Sequence, residues 1–405
     1  MKNQKVTFGN KDGHKLTARL ELPADRKPLS FALFAHCFTC TKNLSAVRNI
    51  SRALNGEGFG VMRFDFTGLG ESEGDFADTN FSSNIQDLQA AAAYLEENYT
   101  APSLLIGHSL GGAAVLYAAA KIDSVSAVAT IGAPADPKHV TRLITHGLDE
   151  IKTKGHAEVS IGGRPFTIKK QFIDDLKAVD MPGVLKDLRK AVLIAHSPQD
   201  KIVGIDNAAG IFKAAKHPKS FVSLDGADHL LSKAEDSNYI GGLIASWAKR
   251  YINFREDEKP GTHLQVVASL GSEEKFTTQI KAGKHYLTGD EPESYGGNDF
   301  GPTPYDFVSA GLATCTAMTI RMYADRKKWN VEEVNVHIEH GKVHAQDCNN
   351  CENSTSSKID RFSRVIELKG DLDKKQRQRL LEIANKCPVH KTLLSEIKIE
   401  TRLKQ

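Results

Sequence analysis

Residues 104–112, Leu104-Leu105-Ile106-Gly107-His108-Ser109-Leu110-Gly111-Gly112, run three apolar β-formers into a Gly-x-Ser-x-Gly turn, and an alanine-rich helix from Ala113 to Lys121 follows. No other stretch restricts the fold as much. A strand that turns this sharply into a helix thrusts its serine outward, and the turn closes only if the flanking positions lack a Cβ. Gly107 and Gly111 meet that need. A serine hydroxyl is a weak nucleophile, so an Oγ presented in this way calls for a base within reach and an acid to orient the base.

Strand and helix alternate around this elbow. The chain opens with a hairpin, Lys5 to Phe8 and Lys15 to Leu22 about the turn Asn10-Lys11-Asp12-Gly13. The continuous apolar run Phe31 to Ala35 predicts a parallel strand buried on both faces, and it ends in His36-Cys37-Phe38. A helix is predicted from Ser45 to Asn55, a strand from Gly60 to Phe66 and a second helix from Asn84 to Glu97. Beyond the elbow come strands at Ala127 to Ala133, Ala191 to His196 and Ser220 to Leu224, with helices from Asp206 to Lys216 and from Tyr239 to Ile252. The pattern is that of an α/β doubly wound sheet. A polar insertion at about residues 134–190 interrupts it and carries a hairpin signal of its own, Ser160 to Phe166.

The elbow in this setting resembles that of the α/β-hydrolase family. Asp65-Phe66-Thr67-Gly68-Leu69-Gly70-Glu71-Ser72 resembles the Asp-x-x-Gly-x-Gly-x-Ser turn that many of these enzymes carry under the active site. The loop from His196 to Val203 is similar to the family's acid loop and the loop from Asp225 to His229 to its histidine loop. The resemblance implies Ser109 as nucleophile, His229 as general base and then acid, and Asp200 as its partner, in the family's chain order. Asp225 and Asp228 are alternative acids beside His229. The implied oxyanion donors are the N–H groups of Leu110 and of Phe38 or its neighbour Cys37. The family's usual His-Gly reads His36-Cys37 here, so a Cβ stands where relatives have none. Cys37 and Cys40 read as small buried residues lining the pocket rather than as a redox pair. His14, His139, His146, His156 and His217 read as surface or core residues, and His36 and His108 receive no proton-transfer role. The insertion is expected to be a cap that sets substrate choice. No metal or organic cofactor is expected.

A charge run closed by Pro260-Gly261 follows the last hydrolase helix and reads as a linker at residues 255–261, dividing a domain at 1–254 from another at 262–405. The second half offers strands at Leu264 to Ser269, Phe276 to Ala282 and His285 to Leu287, then Gly301-Pro302-Thr303-Pro304 and a helix reaching about Lys327. Val308, Leu312, Cys315, Met318, Thr319 and Met322 recur on it at helical spacing and predict a central buried helix. Strands at Glu333 to His340 and Arg361 to Lys369, a helix at Lys374 to Asn385, Cys387-Pro388-Val389-His390 and a last strand at Ile397 to Arg402 complete the pattern.

The Gly-Pro-Thr-Pro entry, the helix bearing Cys315, and Cys387-Pro388 resemble the OsmC/Ohr family of osmotically inducible and organic-hydroperoxide-resistance proteins. An α+β domain, an intertwined homodimer and a two-cysteine peroxidase are implied, with Cys315 attacking the hydroperoxide and Cys387 resolving the sulfenic acid. Where family peroxidases carry an acid ten residues before the cysteine, this chain has Tyr305, with Asp306 one step later. A non-catalytic dimerisation and binding module is the other reading. Cys348, Cys351, Cys387 and His390 also have the spacing of a tetrahedral zinc site, against which stand a surface thiol pair or a reversible disulfide.

The 405 residues can fill two cores, and 53 basic against 50 acidic residues give a formal charge of +3 and no electrostatic case for nucleic acid or an anionic membrane. The expected partners are small acyl esters, organic hydroperoxides and a second copy of the chain. The N-terminus lacks a signal-peptide core, so a cytoplasmic protein is expected, with its six cysteines as thiols, redox groups or ligands.

Overall fold

Residues 2–161, 163–254, 259–272, 274–344 and 358–403 are described by the computed structural model, in which the chain divides into two units, Met1–Glu258 and Lys259–Gln405. The first is built on β1 (Lys2–Gly9), β2 (Lys15–Leu22), β3 (Ser30–Ala35), α1 (Ser45–Gly56), β4 (Phe59–Phe64), α2 (Phe81–Asn98), β5 (Leu104–His108), α3 (Leu110–Ala119) and β6 (Ala127–Ile131). The insertion follows as α4 (Leu148–Lys154), β7 (His156–Ile161), β8 (Arg164–Lys169), α5 (Lys170–Lys177) and α6 (Met181–Asp187). Then β9 (Ala191–His196), α7 (Asp206–Ala214), β10 (Lys219–Ser223) and α8 (Ala234–Ala248) close the unit.

The eight strands of the main sheet lie in the order β1-β2-β4-β3-β5-β6-β9-β10. From β4 to β10 all neighbours are parallel, and the β1–β2 hairpin joins antiparallel at the edge. Side chains on a strand alternate between its faces. Leu105 accordingly joins one core with Phe81 and Leu88 of α2 and Leu116 of α3. Leu104 and Ile106 join the other with Ile50 and Leu54 of α1 and Ile240 and Ile244 of α8. Each fully buried aliphatic side chain of this kind contributes about 1.5–3 kcal/mol relative to exposure. Because the central strands are parallel, β3, β5, β6 and β9 end on the same edge of the sheet, and the loops there carry the candidate site.

The second unit contains an antiparallel sheet of β11 (Val266–Ser269), β12 (Thr278–Ala282) and β13 (His285–Gly289), a long helix α9 (Pro304–Lys327), the antiparallel pair β14 (Glu333–His344) and β15 (Lys358–Lys369), α10 (Lys374–Ala384) and α11 (Pro388–Leu394). Thr303 and Asp306 form a capping box that starts α9, with Pro304 at its first position. The row it buries is Leu312, Thr316, Ile320 and Ala324, of which Ile320 and Ala324 pack with Val331, Leu380 and Ala384. This corrects the stripe read from the sequence. Of its members only Leu312 is buried, whereas Met318 and Met322 are 60% and 72% exposed. Apolar residues occur on more than one side of α9, and the packing of α10 against it selects the row. A strand at 397–402 is also not formed. Residues 396–403 pair with no strand among the described residues, and Ile399 and Leu403 lie in the open.

Candidate active site

Ser109 sits between the last residue of β5 and the first of α3 with φ 55° and ψ −125°, a conformation that L-residues avoid and that persists only when neighbours enforce it. A Cβ on Gly107 would collide with the Gly111 carbonyl, and one on Gly111 with the carbonyls of Ala35 and His36. The elbow therefore packs directly against the end of β3. The Ser109 N–H donates to the Ile131 carbonyl at 2.8 Å, tying the turn to β6.

Three residues predicted to act together meet here. Ser109 Oγ lies 3.0 Å from His229 Nε2, and His229 Nδ1 lies 2.7 Å from Asp200 Oδ2. The Asp200 carboxylate also accepts from the Ile202 and Val203 N–H groups at 2.8 and 2.9 Å. Burial pushes the Asp200 carboxyl up, but the hydrogen bond from His229 and those from Val203 and Ile202 outweigh it and hold it below the ordinary aspartate value. Asp225 and Asp228 face elsewhere. Asp225 accepts from the Ser223 hydroxyl and Asp228 from the Ser232 N–H. His139 donates to the Ile202 carbonyl at 2.8 Å.

Leu110 opens α3, so its N–H is one of the orphan donors of the helix's first turn. Phe38 lies in the loop after β3, beside Leu110, and the two line one small cavity with Phe66, Leu69 and Phe76. Its loop holds a departure from the sequence reading. Cys37 and Cys40 are joined in a disulfide with their Cα atoms 5.3 Å apart, not present as separate thiols. The loop turns back on itself, the Cys40 N–H meeting the Cys37 carbonyl at 3.1 Å, which brings the two side chains within bonding reach. The insertion packs over this loop. Phe172 of α5 stacks on Phe38 at 5.4 Å, and the Arg164 guanidinium donates to the Thr39 carbonyl.

Beneath the loop is a group that composition gave no reason to expect. Lys42 is fully buried and its Nζ contacts Asp65 and, at 2.7 Å, Glu71. His36, at the end of β3, is buried and donates from Nδ1 to the Cys37 carbonyl at 2.8 Å. Burial holds the His36 imidazole below its ordinary value.

A family model described as serine aminopeptidase, S33, matches residues 40–182, a span that includes Ser109 and ends before Asp200 and His229. A second, described as OsmC-like protein, matches residues 296–402. The crystal structure of the esterase domain of a Rhodothermus marinus protein is 51% identical over 62% of this chain and 99% of its own, with a TM-score of 0.52. The protein is an α/β-hydrolase fused to an OsmC-like domain. A putative hydrolase from Agrobacterium vitis (19% identity, 61% of this chain, 99% of its own, TM-score 0.52) and mouse α/β-hydrolase domain-containing protein 10 (20%, 61%, 99%, 0.52) share the fold of the hydrolase domain. No curated protein sequence matches the chain.

In the OsmC-like domain, Cys315 of α9 is partly accessible and Cys387 is buried at the start of α11. Cys387 Sγ accepts from the His390 N–H at 3.3 Å and from the Thr316 hydroxyl at 3.7 Å, and the neighbouring Cys315 side chain also favours its thiolate. Burial pushes the Cys387 thiol up, but these hydrogen bonds together bring it below the ordinary thiol value. Asp306 is committed to the capping box, accepting from the Thr303 N–H and hydroxyl at 2.9 and 2.8 Å. Sequence reasoning missed Arg364 of β15, whose guanidinium donates to Thr316 Oγ1 at 2.8 Å and to Asn385 Oδ1 at 2.6 Å and bears electrostatically on Cys387. Tyr305, where family peroxidases have an acid, stacks on His340 at 4.3 Å.

Cys348 and Cys351 lie outside the described residues, and among the described residues no group of three or more His, Cys, Asp or Glu side chains is arranged to hold a metal. No helix among them is long and apolar enough to cross a membrane.

Proposed function

We propose that the hydrolase domain cleaves small carboxylic esters through an acyl-enzyme on Ser109. The observation that carries the reading is the continuous chain of contacts from Ser109 Oγ through His229 to Asp200. Ser109 attacks the ester carbonyl while His229 Nε2 takes its proton, and the ionised Asp200 stabilises the imidazolium. The carbonyl oxygen becomes an anion facing the Leu110 and Phe38 N–H groups. His229 then protonates the departing alkoxide. A water molecule, deprotonated by the same imidazole, attacks the acyl-enzyme and releases the acid. Ser109→Ala should lower turnover of p-nitrophenyl acetate by about 10⁴-fold or more without changing the thermal melt. Retention of activity in that variant contradicts the assignment.

The OsmC-like domain supports a second activity, reduction of organic hydroperoxides. Two free thiols, Cys315 and a Cys387 whose sulfur accepts from the His390 N–H and the Thr316 hydroxyl and is held below the ordinary thiol value, favour it over a purely structural module. The Cys315 thiolate attacks the peroxide O–O bond, an alcohol leaves, and the resulting sulfenic acid condenses with Cys387 to a disulfide and water. A small dithiol reductant returns both thiols. Dithiol-dependent consumption of cumene hydroperoxide, lost in Cys315→Ser, is the expected result; consumption equal to the reductant blank would leave a dimerisation module. The apolar residues that α9 leaves exposed, Val308, Met318 and Met322, fit a second copy of the chain.

A further inference from the structure

The loop that carries His229, between β10 and α8, has no regular secondary structure. Its internal ties are local, the Leu231 N–H to the Asp228 carbonyl at 3.2 Å and the Ser232 N–H to the Asp228 side chain at 2.9 Å. From outside, besides the His229 ring contacts, its main chain is held at Leu224, whose N–H donates to the His196 carbonyl at 2.9 Å, at Gly226, whose N–H donates to Gln199 Oε1 at 2.7 Å, and at His229 itself. His108 Nε2 lies 2.6 Å from the His229 carbonyl oxygen. A carbonyl only accepts, so the His108 ring carries its proton on Nε2 and donates. The two rings are 5.0 Å apart, and His108 is 4% exposed.

We propose that His108 is the positioning residue for the general base: by donating to the His229 carbonyl it fixes the base's main chain to the strand that presents the nucleophile. His108 is the last residue of β5 and the immediate neighbour of Ser109. The base is thus registered to the elbow twice, by its own ring at Ser109 Oγ and by its carbonyl at the residue before. The same device recurs on the acid loop, where buried His196 at the end of β9 donates from Nε2 to the Val203 carbonyl at 2.7 Å. Burial and then the neighbouring His229 ring push the His108 imidazole down to about 3, so it stays neutral and the bond persists wherever the hydrolase works. Asp200 and His36 are the other titratable groups near it, and neither reverses that balance.

The inference rests on the esterase reading of Ser109, and the experiment separates the two. His108→Phe keeps the ring volume and removes the donor; His108→Gln keeps an N–H donor near the Nε2 position. In His108→Phe, kcat should fall about 10- to 100-fold, the scale of a misplaced catalytic group, with KM little changed, and His108→Gln should recover most of the loss. The rate of Ser109 labelling by a fluorophosphonate should fall in parallel, and the downfield NMR resonance of the His229 Nδ1 proton should weaken in the Phe variant and return in the Gln variant. Should His108→Phe not fold, the Gln variant decides alone, near-native kcat and labelling being expected. A folded His108→Phe enzyme with native kcat, or a folded Gln variant that is severely impaired, overturns the proposal. A wild-type enzyme inert to esters and fluorophosphonate defeats the esterase reading instead.

Discussion

Lys42 and Asp65 form a buried ion pair directly beneath the loop that bears Phe38. The Asp65 carboxylate contacts the Lys42 ammonium with one oxygen and accepts the Lys42 N–H at 2.7 Å with the other. Arg63, itself paired with buried Glu21, donates to the Lys42 carbonyl. A charge removed from water in this way is tolerable only while its partner remains. Lys42→Met should cost about 3–5 kcal/mol of stability, because it strands the Asp65 carboxylate, and Lys42→Met/Asp65→Asn should recover part of the loss. Urea unfolding of the two variants checks this; a single variant as stable as the wild type would show the pair to be dispensable.

Glu71 gives the same network a pH dependence. The Lys42 hydrogen bond first, and the Lys5 bond second, pull the Glu71 carboxyl from 4.5 to about 2. An acid depressed on folding stabilises the native state above its unfolded value, and that contribution is lost as pH falls through the folded value. The melting temperature of the wild type should therefore decline between pH 4.5 and pH 2 more steeply than that of Glu71→Gln. Glu71 is half-exposed, so added salt should narrow the difference. Parallel curves at low salt would contradict the assignment.

The Cys37–Cys40 disulfide brackets Phe38, one of the two implied oxyanion donors. Opening it frees the loop to leave the geometry that aims the Phe38 N–H. Reduction, or Cys37→Ser, should lower kcat by about tenfold, short of the 10²–10³ that complete loss of a donor costs. Ester turnover measured in parallel with free-thiol titration tests this, and full activity in the reduced enzyme would count against the Phe38 assignment.

The exposed methionines of α9 predict an assembly. Met318→Glu/Met322→Glu should shift the protein from dimer to monomer in sedimentation equilibrium while leaving ester turnover unchanged, since the contacts joining Ser109, His229 and Asp200 are all made within one chain. A wild-type protein that sediments as a monomer would remove the expectation.

Much of the hydrolase half was legible because its signals are covalent in the sequence. Parallel strands buried on both faces must read as apolar runs, as Phe31 to Ala35 and Ala191 to His196 do, and an elbow must have glycines where a Cβ cannot fit. Ser109, Asp200 and His229 could be chosen together because strand ends that share one sheet edge bring distant residues to one place. The missed features rest on partners without a sequence identity. The bond from His108 goes to a carbonyl, which every residue has. Lys42 reads as a surface residue until the fold closes over it, and Cys-x-x-Cys spacing alone does not distinguish a disulfide from two thiols. On α9 the apolar residues cover more than one face, so periodicity could not say that Ile320 and Ala324 would be buried while Met318 and Met322 stayed exposed. Arg364 stands far along the chain from Thr316 and Cys387, and only the packing of β15 beside α9 brings them together.

The proposed mechanism requires Ser109 to be the nucleophile that carries the acyl group. Mixing the enzyme with excess p-nitrophenyl acetate, quenching in acid within the first turnover and mapping the adduct by mass spectrometry tests it most directly. A burst of about one equivalent of p-nitrophenol, with the acetyl group on Ser109 and no adduct in Ser109→Ala or His229→Ala, is the predicted result. An adduct at another residue, or undiminished hydrolysis by Ser109→Ala, would contradict it.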